Sequence, residues 1–308
     1  MLTMIFSIFL HWLIVLLLSP FFVGVIAKVK AFFAGKTGPS AFQPYFDLVK
    51  LLHKKCIYSP STTWVFRLAP VVSLGATLVL SLMVPLGLFK APVQFPGDIL
   101  LVVYLLALVR FFMISASLDT GSSFEGIGAS REAFFSCLSE LALFMNFITL
   151  VLLAHSISLS QMIGADIPMS WRLLGPALLL VVASLFIVFL AENCRIPVDD
   201  PDTHLELTMI HEVMILDHSG VDLAYILYAS AIKLFVFAGI LVPIIIPVQT
   251  GHPTKDILIF LTGMTGLAIL VGVIESSMAR LRLNRIRHLL LIAFALAFFG
   301  LVVTLWRA

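Results

Sequence analysis

The nineteen residues 173–191, LLGPALLLVVASLFIVFLA, contain no charged side chain. As an α-helix, which rises 1.5 Å per residue, they would cross nearly all of the ~30 Å hydrocarbon core of a bilayer. Comparable apolar runs recur along the 308 residues, and 61% of the side chains are hydrophobic, whereas soluble domains have roughly 45–50%. The sequence therefore predicts an all-α, polytopic membrane protein.

Eight such runs predict about eight transmembrane helices, which form one integral membrane domain over residues 1–308. Proline and glycine mark most of the connections between them. The first run lacks a basic n-region and a small-x-small cleavage site and is too long for a signal peptide, so we expect a retained span. The predicted spans are residues 4–26, 65–89, 98–117, 132–154, 173–191, 223–246, 256–278 and 288–306.

Lysine and arginine are distributed unequally between alternate loops. The loops at about 27–64, 118–131, 192–221 and 279–287 hold twelve of these residues, whereas the loops on the other side hold four. By the positive-inside rule, the first set faces the cytoplasm and both termini lie outside. The net charge is only +2 and no basic stripe is visible, so we expect the lipid bilayer and not nucleic acid as the surrounding partner.

The segment after the run at 173–191 is unusually acidic. Residues 191–220, AENCRIPVDDPDTHLELTMIHEVMILDHSG, hold seven of the seventeen acids in the chain. His204, His211 and His218 recur at intervals of seven and could line one helical face. Such residues bind metals, but the spacing is not the HExxH of zinc proteases, and we expect no metal in this chain. The alternative is a solvated loop helix whose acids serve a partner surface or feed protons inward.

Several ionisable residues lie inside predicted spans, where each costs about 2.5–3.5 kcal/mol without a partner or a water-filled path. They are Arg110, Glu140, Lys233 and Glu275. Glu132 and Glu140 are eight residues apart, about 12 Å of rise and close to one helix face, so waters or a third group could link them. This geometry suits a proton relay, whereas structural ion pairing or snorkelling near helix ends is the alternative.

Two further patterns concern the surface of the chain and its redox chemistry. In the first loop, Phe42, Tyr45, Phe46, Val49 and Leu52 follow a basic stretch at helical spacing, which is typical of an amphipathic helix at the headgroups or of a docking platform. The three cysteines are isolated from one another and offer no set of clustered thiolates. Any redox centre is therefore expected in another chain, and this chain is not expected to be catalytic alone.

Four motifs resemble those of a known family. They are WVFRLAP at 64–70, LDTGSSFEGIGASREA at 118–133, AENCRIPVDD at 191–200 and ESSMARLRL at 275–283. Across essentially its whole length, the chain resembles the subunit 1 (H-type) membrane protein of respiratory complex I. The second and fourth motifs are more similar to the counterpart in membrane-bound group 4 nickel–iron hydrogenases, which include formate hydrogenlyase and hydrogenase 4.

The resemblance implies a charged, hydrated path that couples electron transfer to proton or sodium translocation. The implied path residues are Glu132, Glu140, Glu192, Asp199, Asp202, Glu206, Asp217, Lys233, Glu275 and Arg110. An interface with a peripheral arm is expected at Lys36, Asp47, Lys50, Arg131 and Arg195. The family also implies a location in the cytoplasmic (inner) membrane of a bacterium or archaeon.

The partners that the resemblance implies are hydrogenase-like large and small subunits, iron–sulfur subunits and antiporter-like membrane subunits. A nickel–iron centre and iron–sulfur clusters are expected in those partners, and no cofactor in this chain. Departures from the family pattern argue against a quinone site: His204 stands where an acid is usual, the segment between Leu207 and Asp217 is longer, and KTGP replaces an arginine before Gly-Pro. A quinone-reducing complex, a stand-alone ion transporter and a passive membrane anchor are the alternatives.

Overall fold

The computed structural model describes residues 2–86, 91–164, 167–200, 209–247 and 252–307. Within these ranges the regular structure is helical, with no β-strand. Eight of the helices are long and apolar enough to span a membrane. The prediction of an all-α, multi-pass membrane protein with about eight spans is therefore confirmed.

Eleven helices are present in the described part of the chain. They are α1 (Leu2–Phe33), α2 (Gln43–Leu52), α3 (Trp64–Met83), α4 (Asp98–Asp119), α5 (Ser123–Ala154), α6 (Leu159–Met162), α7 (Ile167–Glu192), α8 (His211–Met214), α9 (Gly220–Ile245), α10 (Pro253–Ser277) and α11 (Leu283–Arg307). The helices α2, α6 and α8 are short, and the other eight are the candidate spans.

The helix α9 forms the centre of the bundle. It packs against α1, α2, α3, α7 and α10, and 72% of its most apolar window is buried. Successive residues such as Leu234, Phe235 and Val236 are all buried, so α9 is enclosed on several sides. A helix that is apolar all round belongs in the interior of a protein. Lys233 of this helix is therefore placed in the middle of the molecule.

Several helix termini meet at one end of the bundle, which we call the charged end. The backbone N and Oγ1 of Thr63, at the start of α3, donate to Asp119, the last residue of α4, over 2.6 and 2.9 Å. In the loop before α3, the backbone N of Ile57 donates to Oγ of Ser219, directly before α9, over 3.1 Å. The charged end is thus where α4 ends and where α3 and α9 begin.

The loop predicted at 118–131 is much shorter in the structure, because α5 already begins at Ser123. The glycines in this stretch suggested a loop, but Gly128 instead allows close packing within a helix. A Cβ atom at this position would come within 2.2 Å of Cγ1 of Val213. Tertiary packing against the segment before α9 therefore outweighs the weak helix propensity of glycine.

The acidic segment does not begin at the membrane surface. Glu192 is the last residue of α7, yet its Oε2 accepts a hydrogen bond from Nζ of Lys233 over 2.8 Å. Lys233 lies thirteen residues into α9, which is about 20 Å of helix rise. The loop predicted at 192–221 therefore starts deep in the bundle and returns to the charged end. Irregular backbone at such depth is tolerated where protein encloses it.

The part of this loop before α9 is packed into the protein and is not a solvated helix. Its helix α8 has four residues, and Val213 and Met214 within it are buried. The interpretation as a solvated loop helix is therefore wrong for this part. His211 begins α8, His218 lies beyond it, and His204 is outside the described residues, so no common helical face of the three histidines is described.

The predicted amphipathic helix is present as α2. None of its residues is buried, and the side chains of Phe42 and Phe46 are exposed. The hydroxyl of Tyr45 donates to the carbonyl of Leu17 and thereby ties α2 to α1. At Gly24 of α1, a Cβ atom would lie 1.9 Å from the carbonyl oxygen of Ala41, two residues before α2 begins. The two helices are therefore in close contact, and α2 lies across the flank of the bundle.

Candidate functional site

Arg110 lies in the interior of α4, nine residues before its end at the charged end. Its Nη2 donates to both carboxylate oxygens of Glu192, over 2.7 and 2.9 Å. Its Nη1 donates to Glu140 on α5. Its Nε lies 3.9 Å from Oε1 of Glu132, which is also on α5. A third group therefore links Glu132 and Glu140, as the sequence suggested. The planar guanidinium suits this position, since it offers five donors in a fixed geometry.

Glu192 is the most enclosed carboxylate around Arg110, with 2% of its side chain exposed. Besides Arg110, it accepts hydrogen bonds from Nζ of Lys233 and from Oγ of Ser139, over 2.8 and 2.5 Å. A buried charge is tolerable only when it is paired and hydrogen-bonded. Glu192 therefore joins α4, α5, α7 and α9 at one point.

We call five ionisable residues the Arg110 cluster: Arg110, Glu132, Glu140, Glu192 and Lys233. They comprise three acids and two bases, so with every group ionised the cluster carries one net negative charge. A poorly solvated site favours neutrality. One proton on one carboxylate would make the cluster neutral, so the cluster has the composition of a site that can hold a single exchangeable proton.

A cavity of about 120 Å³ adjoins the cluster. Arg110, Glu192 and Lys233 line its inner side, and Arg195 and Glu212 also contribute to its wall. A water molecule needs at least about 10–15 Å³ measured in this way. The cavity therefore has room for several waters in contact with the charged groups.

A second cavity lies on the other side of Glu192. Its volume is about 20 Å³, and Glu132, Ser139, Glu192 and Asp199 are among the residues that line it. This is enough space for one water molecule. Asp199 in the acidic segment is thus separated from the cluster by a single water-sized space.

Glu275 forms a second charged group next to the cluster. Its side chain, on α10, is fully buried and lies 3.3 Å from Nζ of Lys30 and 3.4 Å from Nη1 of Arg195. Arg195 also lines the larger cavity. The guanidinium of Arg195 therefore connects Glu275 with the space that reaches Arg110.

Asp199 serves as an anchor for the acidic segment. Its Oδ2 accepts hydrogen bonds from the backbone N of Ile210 and His211, over 3.2 and 2.9 Å. Its Oδ1 lies 2.8 Å from Nη2 of Arg280. A carboxylate at the start of a helix satisfies amide groups that have no partner within the helix. Asp199 therefore holds α8 against the bundle.

The remaining predicted path residues are not part of these groups. The side chain of Asp217 is exposed, and its backbone N donates to Oε1 of Glu125 over 3.1 Å. Asp202 and Glu206 lie outside the described residues. The structure therefore brings together five of the predicted path residues in the Arg110 cluster, Arg110 included, and places Glu275 and Asp199 beside them.

The residues predicted for the peripheral-arm interface fall into two groups. Three of them are exposed: Lys36, Asp47 and Lys50. The other two make contacts within the chain. Arg131 donates from Nη1 to the carbonyl of Met209 over 2.9 Å, and Arg195 pairs with Glu275. Both arginines thus hold the acidic segment in place.

The sequence patterns give no functional indication at Glu125, Ser139 or Cys194. Glu125 is buried in the first turn of α5, whereas the sequence predicts a loop there. Ser139 precedes Glu140, and a hydroxyl next to an intramembrane acid was the available signal. Cys194 directly follows Glu192 and Asn193 in the turn after α7, and only the fold shows which side chains lie near its thiol.

His218 lies at the charged end, outside the spans. Its ring stacks on Phe66, with centroids 3.9 Å apart and an interplanar angle of 6°. Neither ring nitrogen has a hydrogen-bond partner among the described residues. Burial lowers the pKa of His218 to about 4, so this histidine is neutral at physiological pH.

The low pKa of His218 predicts that the protein loses stability between pH 6.5 and pH 4. In this window the unfolded histidine, with its ordinary pKa of about 6.5, binds a proton that the folded one does not, so stability falls with pH, by about 3 kcal/mol in total. His218→Phe keeps the ring and removes the titration. Measured in detergent at pH 7 and pH 4.5, the free energy of unfolding should fall less in this variant than in the wild type. His53→Gln, which changes an exposed histidine, should show the same fall as the wild type. Equal losses in all three would contradict a buried neutral His218.

Comparison with known proteins gives a consistent result. A family model described as NADH dehydrogenase matches residues 5–305. Hydrogenase-4 component C of Escherichia coli (strain K12) is 31% identical over 290 residues, which cover 92% of this chain and 90% of that protein. Formate hydrogenlyase subunit 4 of the same organism is 29% identical over 298 residues, with coverages of 94% and 95%.

The fold also matches that of a solved structure. A chain from the membrane-bound sulfane sulfur reductase, described as an archaeal respiratory membrane complex, has a TM-score of 0.82 and 20% identity, and the match covers 97% of this chain and 99% of that one. At this identity the likeness concerns the fold alone. The family match and the 31% identity to a relative over nine-tenths of the chain decide the relationship: this chain belongs to the complex I subunit 1 family, whose model is described as NADH dehydrogenase.

Proposed function

We propose that the chain is the membrane subunit of a complex I-like oxidoreductase of the group 4 nickel–iron hydrogenase type, and that it couples electron transfer in partner subunits to proton or sodium translocation. The observation that carries this proposal is the Arg110 cluster, which combines one surplus carboxylate with two adjoining cavities. The names of the two relatives from Escherichia coli support the hydrogenase type. The nickel–iron centre and the iron–sulfur clusters would reside in the partners.

The proposed route for protons starts at the charged end. Asp199 faces the water-sized cavity that reaches Glu192, while Arg195 and the larger cavity give a second way in. From Glu192 the proton would pass to Glu140 through waters, while the guanidinium of Arg110 stays protonated and holds both carboxylates in place. Chains of ionisable groups and waters of this kind are typical of proton relays in membrane proteins.

We propose that protons leave this route at the side chain of Glu140. It is 29% exposed, more than any other side chain of the Arg110 cluster. Its exposed part lies on the flank of α5, beside Leu141 and Phe144, which are also exposed. An apolar flank that opens onto a carboxylate suits a neighbouring membrane subunit, and we propose an antiporter-like subunit there.

Generation of an ion gradient tests the coupling itself. Turnover of the assembled complex in sealed vesicles should build a proton gradient that a protonophore abolishes, or a sodium gradient that a sodium ionophore abolishes. The two ionophores also decide which ion is moved. Full turnover with neither gradient would contradict the proposal and would leave the chain as a membrane anchor.

The charged end is proposed as the docking surface for the cluster-bearing peripheral arm. It carries the exposed Lys36, and the uncovered helix α2 with its exposed Lys50 extends from it along the flank of the bundle. Exposed aromatic side chains are enriched at protein interfaces, and a positively charged patch can face a negatively charged one on the partner. The orientation of this end toward the cytoplasm follows from the loop charges and is part of the proposal.

This docking arrangement predicts a pattern of cross-links. Lys54 and Lys55 are exposed at the charged end, and Lys255 is exposed beyond α9, at the opposite end of the bundle. An amine-reactive cross-linker applied to the assembled complex should join Lys54 or Lys55 to a soluble cluster-bearing subunit, with Lys255 as the matched control that does not reach it. The reverse pattern, identified by mass spectrometry, would show that both the topology and the docking are wrong.

A further inference from the structure

Three side chains with different donor atoms meet at the edge of the larger cavity. They are Glu132 on α5, Cys194 in the turn after α7 and His211 at the start of α8. A carboxylate oxygen, the sulfur and an imidazole nitrogen all lie within 4.8 Å of one another. We infer that these residues form a binding site for a transition-metal dication of the zinc class.

The donor set fits this class of ion. Carboxylate oxygen, thiolate sulfur and imidazole nitrogen are the ligands that zinc uses in proteins, and bonds of about 2.0–2.3 Å place neighbouring ligands in a tetrahedron about 3.3–3.6 Å apart. All three side chains are half-buried, so small rotations can bring them from their present separation to that distance. The thiol distinguishes the site from the oxygen-only sites that magnesium and calcium prefer.

The surroundings offer a fourth coordination position. All three residues line the cavity of about 120 Å³, so a metal-bound water has room beside them. Asn193 lines the same cavity, and its buried Oδ1 has no hydrogen-bond partner among the described residues. An unsatisfied acceptor of this kind calls for an explanation, and a metal-bound water could donate to it.

The backbone at Cys194 is a further sign of a specialised position. Its φ angle is 52°, in the left-handed region that residues other than glycine, asparagine and aspartate seldom adopt. Such outliers gather at functional sites. The carboxylates of Glu132 and Asp199 lie close to the Cys194 thiol and would stabilise a bound cation.

The charge balance is favourable as well. Arg110 lies beside Glu132, but this 3.9 Å contact is the longest of its contacts with carboxylates, so Glu132 can turn toward a metal. A dication together with one thiolate adds one positive charge, which equals the surplus negative charge of the Arg110 cluster. The metal would therefore compete with the proton that the cluster can hold, although binding itself does not depend on the proposed function.

Cobalt(II) is a suitable probe, because its thiolate complexes absorb in the near ultraviolet. The full chain in lipid nanodiscs should bind one equivalent of Co²⁺ with such a band, and Zn²⁺ should displace it. Cys194→Ser should abolish the band, and His211→Ala should weaken binding at least about tenfold. The matched controls are Cys56→Ser and Cys137→Ser, which change the two other free thiols and should leave the band unchanged.

A second measurement needs no substitution in the site. Zn²⁺ should protect Cys194 of the wild-type chain from alkylation at alkaline pH, whereas Cys56 should react equally with and without the metal. Absence of both the cobalt band and the protection would overturn the inference, as would a Cys194→Ser variant that retains the wild-type band. Because binding is measured without turnover, failure here is distinct from failure of ion translocation.

Discussion

Arg110→Met should lower the free energy of unfolding by about 3–5 kcal/mol, since removal of one partner leaves buried charges without compensation. Arg110 contacts Glu132, Glu140 and Glu192. Without it, Glu192 keeps Lys233 and Ser139 as hydrogen-bond donors, while Glu140 loses its one described ion pair. The loss can be measured by denaturant or thermal unfolding of the chain in one detergent at pH 7.

Two further variants separate charge from geometry. Arg110→Lys keeps the positive charge, but one ammonium group cannot span three carboxylates as the guanidinium does, so we expect an intermediate loss. Arg67→Met serves as the matched control, because Arg67 is exposed and packs 4.6 Å above the ring of Tyr58, a contact worth up to about 1 kcal/mol at an exposed site. If Arg110→Met were as stable as the wild type, the ionised cluster would be the wrong description.

The fold could be predicted because a membrane span is encoded by the length of an apolar run. The ends of the helices are harder to predict from the sequence, because a charged residue ends an apolar run without ending the helix. The helix α1 continues to Phe33, beyond the predicted end at residue 26. The helix α7 already begins at Ile167, and the non-helical Leu174 lies two residues before Pro176. The sequence predicts a span only from residue 173, next to this irregular point, and misses the first turns of α7.

The site could be predicted in part, because a charge inside an apolar run is visible without any structure. Arg110, Glu140 and Lys233 are recognisable in this way. The position of Glu192 among them depends on how deeply α7 ends in the bundle, which only the packing against α9 decides. The sequence also cannot predict that Glu132, Cys194 and His211 lie close together, because this depends on how α5, α7 and α8 pack against one another.

Glu140→Gln should leave the complex assembled and sharply reduce ion translocation per electron. Glutamine keeps the size of glutamate and can still accept a hydrogen bond from Arg110, but it cannot titrate. With Glu140 neutral, Glu132 and Glu192 balance Arg110 and Lys233, so the cluster has no surplus carboxylate left to take up a proton. Electron transfer would occur in partner subunits. Turnover should therefore fall only to the extent that it is coupled to ion translocation.

The measurement must record turnover and gradient together, in sealed vesicles that contain the complex with the variant chain. Glu125→Gln is the matched control, because it removes a buried carboxylate from the same helix outside the Arg110 cluster, and its amide oxygen can still accept from the backbone N of Asp217. We expect this control to pump normally. A wild-type ratio of ions to electrons in Glu140→Gln would remove Glu140 from the path and leave it as a structural partner of Arg110. The exit toward a neighbouring subunit would then have to start from another group of the cluster. The proton that neutralises the surplus charge would in that case not be held by Glu140, the most exposed carboxylate of the cluster.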